Sequence, residues 1–240
     1  MPEIAALSSA KSNGSGTAGQ QFAGQDYWVP WRKTYPRFPR VSLEQDQLSP
    51  LSELLSCRGS VRRFSGDEVS FRDLSALFSV CAIVDPVRAP ERRSHASAGA
   101  TFPIEAYVFA HRVEGLEQHH AYHLDLDTFS LEELWPTNAA DKMVELVSPH
   151  IENPAATIVL TAVISRCEIR YRHKAAGFCQ FEAGLVAQNI DLTATGLGLG
   201  LCMVGGFDGT YIRCQLDLPE DEFPIIALAI GKPDGQSGGN

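Results

Sequence analysis

Hydrophobic positions fall into clear periods only from about residue 49 onward. In SPLSELLSCR, Leu51, Leu54 and Leu55 recur at helical spacing behind Ser49, which predicts a helix capped by that serine. SFRDLSALFSVCAIV repeats the device: Ser70 as cap, Asp73 three residues on, and Leu74, Leu77, Phe78 and Cys81 along one face. IEAYVFAHRV and HAYHLDLD read as strands joined by a turn near Gly115. SLEELW and AADKMVELV are expected to be short helices. AATIVLTAVIS is β-branched and apolar throughout, the pattern of a strand covered on both faces. From Phe181 to Leu197, Ala183, Ala187, Ile190, Ala194 and Leu197 step by four and three. Leu185 and Leu192 add a second apolar face, so this helix is expected to be central and buried. FPIIALAIGKP supplies another buried strand. Helices come first and strands later, without regular β-α alternation, which points to α+β.

The ends lack such periods. Residues 1–22 are rich in Ser, Gly, Ala and Gln and predict a disordered tail. Residues 23–44 form an arm whose Pro30, Pro36 and Pro39 exclude a regular helix. Its Tyr27, Trp28 and Trp31 need a covering surface, from the same chain or a partner. Residues 45–233 are the folded domain, and 234–240 a flexible tail. The 240 residues carry net charge -9, which argues against non-specific nucleic-acid binding. No apolar run is long enough for a membrane helix, and no secretory signal is evident. Six cysteines lack CxxC or zinc spacing. They read as reduced thiols of a cytoplasmic protein, with no metal expected.

GLGLGLCMVGGFDG, residues 196–209, is the densest glycine cluster. It is no dinucleotide loop: no six-residue window reads GxGxxG, and a helix precedes it rather than a strand. No Gly-Lys-Ser/Thr follows, so it is no P-loop. A helix C-cap accounts for Gly196 to Gly200. Gly205 and Gly206 are left over.

Four segments together resemble one family. RGSVRRF (58–64) resembles the Arg-x-Ser-x-Arg-x-Phe motif of FMN-dependent nitroreductase-fold enzymes. SAGATFPIEAYV (97–108) resembles the Pro-Ser-Ala-Gly-Ala-x-Tyr-Pro motif of the SagB-type branch, the azoline dehydrogenases. FEAGLVAQNIDLTATGLGLG (181–200) is similar to that branch's Glu-Ala-Gly-His helix, and VGGFD (204–208) to a segment behind the flavin. The resemblance implies a nitroreductase-like α+β fold with a mixed or antiparallel sheet, and a homodimer with FMN at its interface. Arg58, Ser60 and Arg62 would hold the phosphate with guanidinium forks and a hydroxyl, unless they are a solvated basic patch. Ser97, Ala98 and Gly99 would touch the flavin, or form a plain turn. Backbone N–H groups of Gly205 and Gly206 would face its reactive edge, where oriented donors stabilise developing charge. Lys232 adds a phosphate contact or is a surface lysine.

The implied reaction oxidises thiazoline or oxazoline rings of a peptide or carrier-bound substrate to thiazoles or oxazoles. A proton leaves the α-carbon, a hydride goes to the flavin, and oxygen reoxidises it. A cyclodehydratase or synthetase complex would be the partner. The branch associates the base with a Lys-Tyr pair, and here SRCEIRYRHK supplies Arg170 and Tyr171. Arginine stays protonated. Tyr171 therefore serves alone or beside the charge of Arg170, with Arg166 and His173 as other helpers. Leu185 replaces the branch's histidine, and Gly59 a second basic residue. Two rival functions stand: a general NAD(P)H-dependent nitroreductase or quinone reductase, and a flavin-free scaffold subunit.

Overall fold

The structure is a computed structural model that describes residues 33, 35–43, 49–85, 87, 91–136 and 150–235. The tail 1–22, Tyr27, Trp28, Trp31 and the segment AADKMVELV lie outside the described residues, as do residues 236–240. The chain divides into two compact units, residues 1–46 and 47–240. In the first, the Phe38 N–H bonds the Tyr35 carbonyl at 3.2 Å, and the two rings meet edge to face.

The second unit opens with α1 (Ser49–Cys57) and α2 (Phe71–Phe78). Ser70 caps α2 as expected: its hydroxyl accepts the Asp73 N–H at 3.0 Å. Leu74, Leu77 and Phe78 are buried. Cys81 is buried too, but in the tighter turn that follows, Ser79–Cys81. A short pair, β1 (Ile83–Asp85) and β2 (Arg92–Arg93), precedes the main sheet. That sheet holds β3 (Ile104–Ala110), β4 (His120–Asp125), β5 (Ser130–Pro136), β6 (Ala156–Val163), β7 (Gly200–Val204) and β8 (Glu222–Gly231). Its spatial order is β5-β4-β3-β6-β8-β7, and every pairing is antiparallel.

SLEELW is strand β5 and not a helix. Its register against β4 breaks between Ala121, opposite Trp135, and Tyr122, opposite Glu133. Leu131 packs on one sheet face and Leu134 on the other, while Glu132 and Glu133 are exposed. The spacing of three therefore reflects two covered faces of one strand rather than one face of a helix. AATIVLTAVIS behaves as its composition requires: β6 lies between β3 and β8 and is buried along nearly its whole length.

Two cores sit on the two sheet faces. One packs α2 and the long helix α4 (Ala175–Gly196) against alternate residues Ala106, Val108, Ile158 and Leu160. The other packs α5 (Gly209–Leu216) against Tyr107, Phe109, Val159 and Ala229. Between β6 and α4 runs the short α3 (Ile164–Tyr171), followed by a tight turn, Arg172–Lys174. Helix α4 is central but not buried all round. Ala183, Ala187, Ile190 and Ala194 are fully enclosed, whereas Phe181 is 72% and Leu185 46% exposed. The second apolar face expected from Leu185 therefore looks outward. Leu197, the last of the expected apolar steps, is exposed as well.

The helix ends as its glycines predict. Gly198 has φ +72, the Leu199 N–H reaches the Ala194 carbonyl, and the Gly198 N–H reaches Thr195. This double closure through a left-handed glycine is a Schellman cap. Among the described residues no helix is long and apolar enough to cross a membrane, and no cluster could hold a metal ion.

Candidate active site

The register sorts the candidate residues onto different parts of the sheet. At one end lie Ala110, Ala156, Gly231 and Gly200. There the segment after α1 is extended and runs along the free edge of β7. Ser60 bridges Leu201, and the Val61 N–H bonds the Leu201 carbonyl at 2.9 Å. Farther on, the Ser65 N–H bonds the Lys232 carbonyl and the Asp234 N–H bonds Arg63. The sequence-distant Arg58–Arg62 stretch and Lys232 thus become neighbours. Gly200 permits this approach: a Cβ there would sit 2.8 Å from the Val61 Cβ.

The cations at this end differ. Arg58 pairs at 3.5 Å with Asp191 of α4, whose side chain is 4% exposed. Burial raises the Asp191 carboxyl above its ordinary range, and Arg58 partly offsets this. The side chains of Arg62 and Lys232 are exposed and have no hydrogen bond or ion pair among the described residues. Two uncommitted cations on adjoining backbone suit a phosphate.

At the far end of β7, about 13 Å along the strand at about 3.3 Å per residue, come Gly205 and Gly206. Both are exposed, and a Cβ on either would meet nothing within 4 Å. No neighbour among the described residues demands glycine there, and a side chain at either would point into open space.

The opposite end of the sheet, at Ile104, Val163 and Glu222, gathers the rest. The turn Ala98–Ala100 leads into β3, and α3 leaves β6 beside it. The Arg170 guanidinium donates to the Gly99 carbonyl at 2.9 Å. Gly99 has φ +60, and a Cβ there would meet the Tyr171 hydroxyl at 2.9 Å and Arg170 at 3.0 Å. Glycine is therefore required twice, by conformation and by space. Ala100 (φ +53) and Phe102 (φ +42) are also left-handed, a strain of about 1–3 kcal/mol each that only firm surroundings sustain. The Ser97 hydroxyl accepts the Phe102 N–H at 2.9 Å. Arg166 donates to the Phe102 carbonyl and pairs with Glu105 at 2.5 Å.

Glu105 also meets His123, which meets Glu132. The hydrogen bond to Glu105 raises the His123 pKa above the usual imidazole value, against its burial. Burial of Glu105 works the other way from His123 and Arg166, which together hold its carboxyl below the usual range. Burial pushes the Cys81 thiol up to about 12. All six cysteines are free.

Ser97, Ala98, Gly99, Arg170 and Tyr171 are thus brought together, as are Ser60, Arg62 and Lys232. The two groups stand at opposite ends of the sheet, and one chain does not merge them. Sequence reasoning missed Asp191, Glu182, Glu105, His123 and His95. Asp191 and Glu182 carried a usable signal, since both fall on the buried stripe of α4 among Cys179, Ala183, Ala187 and Ala194.

An antiparallel six-stranded sheet with a long helix packed on one face and cations along its edge strand defines an α+β fold. The chain matches the nitroreductase family over residues 55–232, and it belongs to that family of oxidoreductases. It is 31% identical over 187 residues to "Putative nitroreductase MJ1384" of Methanocaldococcus jannaschii, covering 76% of this chain and 90% of that one. In fold it is similar to a chain of the E. coli microcin synthetase McbBCD complex, solved with truncated pro-MccB17 bound. That match has a TM-score of 0.67 and 20% identity, and covers 86% of this chain and 78% of the other. The NADPH:FMN oxidoreductase of Vibrio harveyi is similar with a TM-score of 0.53 and 14% identity, covering 76% and 68%.

Proposed function

We propose that this chain is an FMN-dependent oxidase of the SagB type, turning thiazoline or oxazoline rings of a peptide-derived substrate into thiazoles or oxazoles. The observation that carries the reading is the contact of Tyr171 and Arg170 with the Ser97–Gly99 turn. Two segments that resemble that branch separately meet in space. The residues fit FMN: Arg62 and Lys232 would hold its phosphate, Arg58 would be steadied by Asp191, and Gly205 and Gly206 would offer backbone donors. When bound, FMN supplies the two-electron redox chemistry. Tyr171, in its phenolate form, would be this chain's group for taking the proton from the ring carbon. Arg170 cannot accept that proton; fixed on the Gly99 carbonyl, it keeps a positive charge beside the tyrosine.

Two copies would complete the site. The separation of the two residue groups, together with the exposed Phe181 and Leu185 on α4, supports a homodimer in which each copy supplies one group. A peptide-modifying synthetase complex is the partner this reading implies, in the manner of the similar microcin synthetase chain.

The test is direct. Purified protein should be yellow, release FMN, and remove two hydrogens from a thiazoline peptide under oxygen, read by mass spectrometry. Unchanged thiazoline with FMN bound would sink the proposal. The alternative reading, a NAD(P)H-dependent reductase of nitroaromatics or quinones, draws on the name of the M. jannaschii relative. NADPH consumption with such acceptors and no peptide would favour it.

A further inference from the structure

His95 and Glu182 are a buried pair to which the proposed reaction gives no task. Each side chain is 2% exposed, and Nε2 lies 3.4 Å from Oε1. Among the described residues, neither ring nitrogen and neither carboxylate oxygen makes a well-directed hydrogen bond. Burying two such groups is costly unless they satisfy one another. An apolar pair of the same volume would generally pack at least as well, so the polar pair calls for a reason beyond stability.

Its position supplies one. Glu182 is on the enclosed stripe of α4. His95 is two residues before Ser97, and its ring meets Phe102 edge to face at 6.0 Å. The pair therefore clamps both ends of the strained stretch Ser97–Phe102 onto α4. The Arg93 guanidinium also lies over the Phe102 ring, 4.3 Å from its centroid. Left-handed Ala100 and Phe102 persist only where their surroundings over-determine them. We propose that His95 and Glu182 are positioning residues that hold the Ser97–Phe102 turn against Tyr171. Their importance to flavin binding rests on the functional reading above; their hold on the turn does not.

Hydrogen exchange by NMR on the chain without added flavin separates the two. The amides of Ala100, Thr101 and Phe102 bond the Ser97 carbonyl, the Ala98 carbonyl and the Ser97 hydroxyl. The double variant His95→Phe, Glu182→Leu keeps the volume and removes the polar tie. It is expected to exchange these three amides at least tenfold faster, with β6 and β8 unchanged. Glu182→Gln, which keeps the side chain's shape and a polar oxygen beside the imidazole, should show wild-type exchange. Wild-type exchange in the double variant, or a uniform rise across β6 and β8, overturns the proposal. If the double variant does not fold, His95→Ala is read at the same amides by the same criteria. FMN affinity is measured next. A tenfold weaker Kd in the double variant extends the role to the flavin site, and an unchanged Kd refutes that extension. A wild-type chain that binds no FMN removes the flavin reading and leaves the exchange result standing.

Discussion

The two ends of the sheet use their cations in opposite ways. Near Gly200 and Gly231 the backbone is tightly packed and the side chains of Arg62 and Lys232 are uncommitted. Near Ile104 and Val163 the backbone is strained and the guanidinium groups are consumed by the protein itself: Arg166 by Glu105 and the Phe102 carbonyl, Arg170 by the Gly99 carbonyl. A cation free of partners is available to an outside anion. A cation spent on carbonyls holds geometry. On the proposed function, the first end would receive a charge and the second would fix a reactive group.

The largest expected effect follows from the second end. Tyr171→Phe keeps the ring packed on Phe178, whose centroid is 4.7 Å away, and removes only the hydroxyl. Turnover should fall by about 10²–10⁴-fold, the usual worth of a positioned acid or base, with FMN affinity unchanged. Steady-state kinetics beside a flavin titration checks this. Equal losses of turnover and FMN affinity would break the division between the ends.

The first end should respond conversely. Arg62→Ala removes a charge-assisted hydrogen bond worth about 1.5–3 kcal/mol, so FMN should bind roughly 10–100-fold more weakly while melting of the flavin-free chain is unchanged. Isothermal titration and thermal melting together decide it. A melting point lowered as much as the affinity would mean that Arg62 is structural after all.

Packing gives the next contrast, along β7 itself. Gly200→Ala must push Val61 aside, from contacts of 2.7–3.0 Å. Such overpacking costs about 1–3 kcal/mol, or about 2–4 °C per kcal/mol for a domain of this size. Gly205→Ala and Gly206→Ala meet nothing within 4 Å and should stay within about 0.5 kcal/mol. Calorimetry on the three variants would expose any error in distinguishing the two glycine groups.

Much of this was legible before folding. The Ser70 cap, the enclosed strand β6, the α4 stripe and the glycine stop at Gly198 all rest on local rules, and each was readable. Strand β5 was not, because Leu131 and Leu134 pack on opposite sheet faces, and a spacing of three reads equally as one face of a helix. The exposure of Phe181 and Leu185 was hidden for a related reason: periodicity identifies an apolar face but not what covers it. At the site, the meeting of Arg170 with Gly99 joins residues 71 positions apart, which no spacing reveals. The acids Glu182 and Asp191 were visible as charges on an apolar stripe and went unread.

The smallest effect concerns the ion chain that braces the second end. His123 touches Glu105 and Glu132, its ring lies 4.9 Å from that of Tyr107, and Arg166 reaches Glu105 from α3. The folded chain raises the His123 pKa. Its contribution is therefore complete below the ordinary imidazole value of about 6.5 and is lost as pH rises through the higher folded value. Glu105 is lowered, so its share is present above about 4.3, the ordinary glutamate value, and is lost as pH falls through the lower folded one. Stability from this chain should thus be greatest between those limits, in mildly acid solution. His123 is partly exposed, and partly screened pairs are worth about 0–1 kcal/mol. Raising the pH from mildly acid to alkaline should therefore lower the melting temperature of the native chain by at most about 4 °C more than that of His123→Gln. The same brace fixes Arg166 against the Phe102 carbonyl, so the amide exchange of Thr101 and Phe102 should quicken over the same interval. If the melting curves of the two proteins run parallel with pH, the ion chain is a bystander, and the second end is held by its backbone, the Arg170–Gly99 contact and the His95–Glu182 pair.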